Sequence, residues 1–198
     1  MRQEIFPGTQ SKVIGYAALR TTFRSHTKIP ISEKLLVIME VQNIVSLTAR
    51  VMSTFATNTF FGASFYINLV ETPAKLSLNS TSAMVDQFQE TFPRAMSMQF
   101  KLVVVSSVGS TIGWFLDKSS DRNLLLYSSL FMIFIIPWTK IKIMPINNQL
   151  IDGEYPKKKG DPWVKDMMRR WDRVHFVRTM SSCAAVTCLT IYWVRKSL

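Results

Sequence analysis

Cysteine, histidine and glycine are scarce in this sequence, and each shortage excludes a class of site. Among 198 residues there are 2 cysteines, 2 histidines and 7 glycines. Cys183 and Cys188 lie five residues apart in one apolar run, a spacing that fits neither a zinc site nor a redox pair. His26 belongs to a polar N-terminal segment, so His175 is the only other histidine that a metal site could use. The chain also lacks phosphate-loop, dinucleotide-binding, haem and Ser-His-Asp motifs, and we expect neither a metal nor a cofactor.

Charged residues are also scarce, at 19% of the chain, and they cluster between long uncharged runs. A helix of about 20 apolar residues crosses the ~30 Å of bilayer hydrocarbon, so this pattern predicts a multi-pass membrane protein whose partner is the lipid bilayer. The net charge of +11 does not indicate nucleic-acid binding, because no soluble module with a basic face is visible. Nothing in these patterns sets the oligomeric state.

Four apolar runs predict the fold class, an all-α integral membrane four-helix transmembrane bundle. The expected spans cover residues 51–70, 95–116, 124–144 and 174–194, within one domain that covers residues 35–198. We expect Pro73 to end the first helix and Pro145 the third, because a proline disfavours helical backbone at the preceding residue. Gly109 and Gly113 form a G-x-x-x-G motif on the second helix, which either lets two helices approach closely or arises by chance.

Residues 1–34 form a polar, basic leader that we expect to be flexible. Its composition is similar to that of a mitochondrial transit peptide, but we favour a cytosolic tail with membrane-flanking positive charge. The endoplasmic reticulum and mitochondrial membranes are therefore both open as locations. Lys and Arg are almost equally numerous on the two faces of the bundle, so the positive-inside rule does not set the orientation.

Polar residues near the spans are expected to meet at one face of the membrane. In an alternating bundle, the ends of the first and third helices share a face with the starts of the second and fourth. The residues on that face are Glu71, Arg94, Lys140, Asn147, Trp171, His175 and Arg178. Their convergence predicts a polar mouth to the bundle.

Helical spacing arranges part of this set in two stripes. Trp171, His175 and Arg178 stand at i, i+4 and i+7 on one face of the fourth helix, and Asn68 and Glu71 share a face of the first. Arg178 lies about one turn inside the apolar boundary, where an unpaired charge is costly, and we expect Glu71 to be its partner. Each residue also has an ordinary interpretation, as a solvated helix end, a snorkelling side chain or an interfacial aromatic.

A histidine beside a carboxylate and a guanidinium suits proton chemistry. His175 could act as a general base whose tautomer its neighbours set, and Arg178 could stabilise an oxyanion or enolate as it forms. One histidine and Glu71 alone make a poor metal site.

Four segments in series resemble the anthrone-oxygenase-like family of four-helix membrane proteins. The segments are FFGASFYINLVETPAKLSL, FPRAMSMQ, IIPWTKIKIMPINNQL and RRWDRVHFVRT, and they span roughly residues 50–195. In that family the first helix ends in an asparagine and a glutamate followed by a proline, here Asn68, Glu71 and Pro73. Members with an assigned activity convert an anthrone to an anthraquinone with dioxygen, without an evident metal or flavin.

The resemblance implies an apolar, enolisable aromatic substrate and dioxygen as co-substrate. It implies that His175 or Glu71 removes the acidic methylene proton and that the carbanion reacts with dioxygen, while Arg178 and Asn147 hold the developing phenolate. The candidate residues are His175, Glu71 and Arg178 for catalysis, and Asn68, Arg94, Asn147 and Trp171 for substrate binding.

Two other functions fit the same residues. The cluster of Glu71, His175 and Arg178 could only tie helices together in a non-enzymatic structural or interaction protein. It could also serve as a proton relay in a small transporter.

Overall fold

Residues 31–198 are described by the computed structural model, and within that range every regular element is helical. Of the predicted leader, residues 1–30 lie outside the described part, whereas residues 31–34 already belong to the first helix. The chain divides into two units, Met1–Glu40 and Val41–Leu198. The described part of the first unit is exposed helix. The side chains that line the cavity of the bundle all belong to the second unit.

Four helical stretches are long and apolar enough to cross a membrane, and we call them the first to fourth spans: Ile31–Leu76, Thr81–Leu116, Ser120–Ile151 and Asp161–Ser197. The first consists of the α-helix Ile31–Tyr66, the π-helical turn Ile67–Glu71 and the α-helix Thr72–Leu76, and the second is the single α-helix Thr81–Leu116. The third runs through a 3-10 turn at Ser120–Arg122, the α-helix Asn123–Trp138, the π-helical turn Thr139–Ile143 and the α-helix Met144–Ile151. A short helix, Glu154–Lys159, precedes the fourth span, the α-helix Asp161–Ser197. The predicted all-α, integral membrane four-helix class is confirmed.

The expectation that Pro73 and Pro145 end helices is wrong, because both lie inside continuous helical stretches. A proline lacks an N–H group, and its ring collides with the carbonyl group four residues earlier. Here those carbonyl groups, at residues 69 and 141, lie within the π-helical turns Ile67–Glu71 and Thr139–Ile143. The wider turns relieve the collision and let the helices continue.

The spans also begin earlier than their apolar runs predict. The second begins at Thr81 and the fourth at Asp161, because the flanking segments pack against each other through apolar side chains. The buried members of this cluster are Met84, Val85, Phe88, Ile143, Ile146, Leu150, Val164, Met167, Met168 and Trp171. Each large side chain in such a cluster contributes about 1.5–3 kcal/mol on burial. The charged segment between the third and fourth predicted spans, residues 145–173, is therefore mostly helix.

The first and second spans pack closely at the two glycines of the G-x-x-x-G motif. A methyl group added to Gly109 would lie 2.6 Å from the carbonyl oxygen of Ala49, and one added to Gly113 would lie 2.7 Å from Cγ of Arg50. Beside them, the hydroxyl group of Ser53 donates to the carbonyl oxygen of Ser106 over 2.8 Å. The interpretation of the motif as a packing site is confirmed.

A buried carboxylate joins three spans at one end of the bundle. Asp117 accepts hydrogen bonds from Tyr192, from Arg50 over 3.3 Å and from Lys196 over 3.2 Å. Burial alone would raise the pKa of Asp117, but the hydrogen bonds from Tyr192, the backbone of Ser119 and Lys196 outweigh it and lower the pKa to about 2. The carboxylate is thus ionised at neutral pH and joins the end of the second span to the first and fourth.

Gly109→Ala is expected to destabilise the protein by about 1–3 kcal/mol, because the added methyl group meets fixed backbone. Gly62→Ala is the matched control, since no atom beyond its chain neighbours and the adjacent backbone of its own helix lies within 4 Å of the added group. Alanine also favours helix over glycine by about 1 kcal/mol. Thermal unfolding in detergent, followed by circular dichroism, should show a lower midpoint for the first variant and an equal or higher one for the second. Equal midpoints for both would contradict the close packing at Gly109.

Candidate functional site

A cavity of about 620 Å³ lies among the four spans at the end opposite Asp117. Most of its wall is apolar, with aromatic and methionine side chains from the second span. The polar side chains in the wall are Glu71, Lys75, Gln87, Thr91, Gln99, Thr139, Lys140, His175 and Arg178. Small-molecule sites commonly occupy ~300–1,000 Å³ and combine apolar walls with a few polar groups. The cavity therefore has the size and lining of a site for a small aromatic ligand.

Four of the seven candidate residues lie together on this wall: Glu71, Trp171, His175 and Arg178. Asn68 and Asn147 are buried but do not line the cavity; each bonds to a residue that does. Both π-helical turns also contribute to the wall, through Ile67 and Glu71 in one and Thr139 and Lys140 in the other.

Asn68 carries four hydrogen bonds between the first and fourth spans. Its Nδ2 donates to the carboxylate of Asp172 over 2.7 Å and to the backbone carbonyl of the same residue over 3.2 Å. Its Oδ1 accepts from the hydroxyl of Thr179 over 2.6 Å and lies 3.1 Å from Nδ1 of His175. A carbonyl oxygen and an ionised carboxylate can only accept hydrogen bonds. The Nδ2 group of Asn68, which donates, must therefore face Asp172, and only this orientation of the amide satisfies all four contacts.

This orientation determines which nitrogen of His175 carries the proton. Because Oδ1 of Asn68 can only accept, Nδ1 of His175 must donate, and the Nε2 atom of the neutral ring holds the lone pair. No hydrogen bond to Nε2 occurs among residues 31–198, and His175 lines the cavity. The site thus presents an imidazole base in a defined tautomer.

The ring of His175 is held flat against Trp171. The two ring centres are 4.6 Å apart with an angle of 20° between the planes. Trp171 in turn donates from Nε1 to Oδ1 of Asn147 over 2.7 Å. The carbonyl oxygen of Asn147 is therefore already hydrogen-bonded. Asn147 lies behind the cavity wall and holds Trp171 in place.

Arg178 is buried, with 9% of its surface exposed, and has no carboxylate partner among the described residues. Its Nη2 donates to Oε1 of Gln99 over 2.7 Å, and its guanidinium carbon lies 5.3 Å from the ring centre of Phe60. The Nε group of Arg178 and the Nε2 group of Gln99 are buried, and neither finds an acceptor in residues 31–198.

The expected pairing of Glu71 with Arg178 is wrong. Glu71 bonds instead to Nζ of Lys75, over 2.6 Å, and Lys75 also donates to Thr91 over 3.2 Å. Lys75 stands four residues after Glu71, so the two side chains meet on one face of the same helical stretch. Lys75, on the same helical stretch, is therefore the ionic partner of Glu71, and Arg178 on the fourth span is not.

Arg94 does not belong to the site. The side chain is 76% exposed and pairs with Glu90, one turn earlier, over 2.9 Å. The earlier start of the second span explains the error, because residue 94 lies in the middle of a long helix and points outwards.

Three residues of the site were not among the candidates: Asp172, Thr179 and Gln99. Spacing could have indicated two of them, since Asp172, His175 and Thr179 stand at i, i+3 and i+7 on one helical face. Gln99 had no such signal, because its importance arises from a contact between the second and fourth spans.

These features define a class of protein: an integral membrane four-helix bundle with a ligand-sized cavity and a hydrogen-bonded imidazole in its wall. The family model described as anthrone oxygenase matches residues 88–188, just over half of the chain. The chain belongs to the anthrone oxygenase family. The matched range includes Gln99, His175 and Arg178, whereas Asn68 and Glu71 precede it. Comparison with curated proteins and with solved structures gave no match.

Within residues 31–198, no three His, Cys, Asp or Glu side chains come close enough together to hold a metal ion. Two groups in the cavity wall have side-chain chemistry of their own to offer: the imidazole of His175 can transfer a proton, and the guanidinium group of Arg178 can bind an anion.

Because Glu71 and Arg178 do not pair, the effects of Glu71→Gln and Arg178→Met on stability should add to within about 0.5 kcal/mol. Glu71→Gln combined with Lys75→Met provides the matched positive control, since those side chains do bond, and its coupling should reach about 0.5–3 kcal/mol. Unfolding midpoints of the single and double variants measure both terms. A double variant with Arg178→Met that regains the stability lost in the single variants would show that the pair exists.

Proposed function

We propose that this protein is a membrane-embedded oxygenase that acts on an apolar, enolisable aromatic such as an anthrone. The observation that supports this best is the position of His175, whose Nδ1 donates to Asn68 while its ring lines a ligand-sized cavity. Membership of the anthrone oxygenase family supports an oxygenase-like reaction. The substrate and the roles of individual residues are the parts that we propose.

The proposed reaction converts a ring methylene group and dioxygen into a ring carbonyl group and water. Nε2 of His175 removes one methylene proton, and the electron pair of the broken C–H bond gives an enolate. The enolate carbon transfers electrons to dioxygen, a C–O bond forms, and protonation gives a hydroperoxide. Loss of the second methylene hydrogen as a proton then breaks the O–O bond, which yields the carbonyl group and water. The substrate supplies all four electrons that reduce dioxygen.

Asp172 and Trp171 support His175 when it accepts a proton, against the burial of the ring and the positive charge of Arg178, which both oppose an imidazolium ion. Asp172 is linked to the ring through the amide of Asn68, so a negative charge lies two hydrogen bonds from the positive charge that forms. Trp171 holds the ring in plane. Asp172 and Trp171 are already in position before the reaction starts, so little reorganisation is needed during proton transfer.

Of the two candidate bases, His175 fits better than Glu71. The carboxylate of Glu71 already accepts a charge-assisted hydrogen bond from Lys75 over 2.6 Å, so it is engaged before any substrate binds. Arg178 is the group best suited to stabilise the enolate oxygen, since it lies in the same wall without a carboxylate partner in the described chain.

The cavity wall includes side chains that are exposed on the outer surface of the bundle. Tyr66, Met96, Phe100 and Ile136 line the cavity and are exposed on the surface of the bundle; 56% of Phe100 is exposed. An apolar substrate dissolved in the bilayer would meet these side chains first. We therefore propose that the substrate enters from the lipid.

A non-enzymatic structural role is the second candidate. The observation that favours it is the set of hydrogen bonds by which Asn68 joins the first span to Asp172, His175 and Thr179 on the fourth. Under this alternative, loss of any of these groups changes stability alone.

His175→Ala should lower kcat for anthrone oxidation by about 10²–10⁴-fold, since it removes the general base. Asn68→Leu should lower kcat with a smaller change in KM, because the ring remains but its tautomer is no longer set. The measurement is dioxygen uptake by the purified protein in nanodiscs, corrected for spontaneous oxidation, together with quinone formed per dioxygen consumed. One quinone per dioxygen is expected.

The helical circular dichroism signal and the unfolding midpoint serve as controls for both variants. Full turnover in a folded His175→Ala protein would refute the proposed base. Absence of turnover in the wild-type protein, with changes in stability alone among the variants, would favour the structural role.

A further inference from the structure

A groove on the outer surface of the bundle separates the third and fourth spans. It encloses about 760 Å³, and its lining comes from residues 127–134 of the third span and 177–188 of the fourth. The lining is almost entirely apolar. The hydroxyl group of Ser181 already donates to the backbone carbonyl of Phe131 over 2.7 Å. A hydrocarbon chain that lies against Ser181 therefore leaves no hydroxyl group of that residue unpaired.

The groove has the length of the hydrocarbon layer of one leaflet. Val177 and Cys188, which line it, are eleven residues apart on one α-helix, and at ~1.5 Å per residue this is about 16 Å. The hydrocarbon core of a bilayer is ~30 Å thick, so each leaflet contributes ~15 Å. Val177 stands three residues after the start of the apolar run at Val174. The groove thus extends from the membrane boundary towards the midplane, as the acyl chain of a lipid does.

Two hydrogen bonds fix how the third and fourth spans run past each other. One joins Ser181 to Phe131, and in the other Nε1 of Trp138 donates to the backbone carbonyl of Val174 over 2.9 Å. The two contacts are seven residues apart on each helix, so the antiparallel register is constant along the groove. Beyond the second contact, this register continues to the basic residues that flank both apolar runs.

Three exposed basic side chains follow there: Lys142 on the third span, and Arg170 and Arg173 on the fourth. Lys142 and Arg170 are about level, because each stands four residues beyond the last contact. Arg173 and Arg170 precede Val177 by four and seven residues, which places both on the face of the helix that lines the groove. The apolar groove therefore leads to three cations at the membrane boundary.

These cations have no acidic partner in the described part of the chain. Within residues 31–198, no ion pair involves Lys142, Arg170 or Arg173, and Asp166, four residues before Arg170, makes none. The residues three and four positions from Arg173 are two further arginines and two apolar side chains. Like charges at this spacing repel each other. An anion bound between them would relieve the repulsion, and lipid phosphates supply anions at a membrane boundary.

We propose that this groove binds one anionic glycerophospholipid, with an acyl chain between the third and fourth spans and the phosphate group beside Lys142, Arg170 and Arg173. Guanidinium groups hold phosphate oxygens through two parallel hydrogen bonds, which fixes the headgroup as well as attracting it. The site lies outside the cavity that contains His175, and the proposal does not depend on the oxygenase reaction.

Two other occupants fit the groove less well. A zwitterionic lipid carries its own cation, which already offsets the charge of its phosphate. A second copy of this chain, related by a two-fold axis along the groove, would place its own three cations against the first set. Such a dimer would add to the repulsion that an anionic lipid removes.

The first test measures lipid binding to the whole chain in detergent micelles by native mass spectrometry. The probes are phosphatidylglycerol and phosphatidylcholine with identical acyl chains. One phosphatidylglycerol per protein is expected, with an affinity about tenfold or more above that of phosphatidylcholine. Since a ligand of the folded state alone stabilises it, the unfolding midpoint should also be higher with phosphatidylglycerol. Equal affinities for the two probes would overturn the proposal.

Arg173→Gln should weaken phosphatidylglycerol binding by about fivefold to tenfold, because each cation near the headgroups contributes to the attraction. Lys158→Gln is the matched control: it removes one exposed positive charge from the helix that connects the same two spans, and binding should not change. Equal losses in the two variants would indicate only a general attraction to the charged surface, and the site would be rejected.

Ala184→Phe tests the groove itself without a change in charge, because Ala184 belongs to its lining. Phosphatidylglycerol binding should fall by about tenfold. Thr190→Phe adds the same bulk at an exposed position of the same helix that does not line the groove, and it should bind as the wild-type protein does. Unchanged binding in a folded Ala184→Phe protein would contradict the proposal.

Cross-linking in the wild-type protein decides the location even if a variant fails to fold. Phosphatidylglycerol with a photoactivatable group in its acyl chain should label residues 127–134 and 177–188, which peptide mass spectrometry identifies. Labels confined to other faces of the bundle would overturn the site. So would a dimer whose groove residues cross-link to a second copy in place of the lipid.

Discussion

Asn68 in the first span makes four hydrogen bonds to residues of the fourth span, and the arrangement of the site depends on them. Asn68 lies in a helix surrounded by apolar side chains and lipid, where unpaired polar groups cost several kcal/mol each (about 2–7). Only one orientation of its amide pairs every group around it. The same contacts join two helices, place Asp172 behind the site and set the tautomer of His175. Fold and proton chemistry therefore share one constraint.

A second constraint acts through the backbone. Pro73 and Pro145 each follow a π-helical turn, and both turns contribute residues to the cavity. A widened turn displaces the side chains that follow it relative to a regular helix. At the other end of the bundle, the close contacts at Gly109 and the bonds to Asp117 hold the spans together. The molecule thus packs tightly at one end and encloses space at the other.

The sequence predicted what depends on local pattern. Four apolar runs defined the fold class, and helical spacing placed Trp171, His175 and Arg178 on one face, where the structure has them. One prediction that was wrong, the partner of Glu71, depended on which of two cations its carboxylate contacts. Glu71 bonds to Lys75 because a local partner comes at no cost of assembly, and a pattern of charges does not reveal which of two cations is closer. The predictions for Arg94 and for the span boundaries were wrong for another reason. The helices extend beyond their apolar runs because the flanking apolar residues pack in one cluster, which includes Met84 and Leu150. Contacts between spans, such as that of Gln99 with Arg178, have no counterpart in the order of residues.

The tautomer of His175 is the quantity that tests this description most directly. Nitrogen-15 NMR of histidine-labelled protein distinguishes a protonated ring nitrogen from an unprotonated one, and a His26→Gln background leaves a single labelled ring. The expected spectrum at neutral pH shows the proton on Nδ1 and a free lone pair on Nε2, and Asn68→Leu should remove this preference. A proton on Nε2 in the folded wild-type protein would contradict the orientation of Asn68, and with it the assignment of His175 as the base.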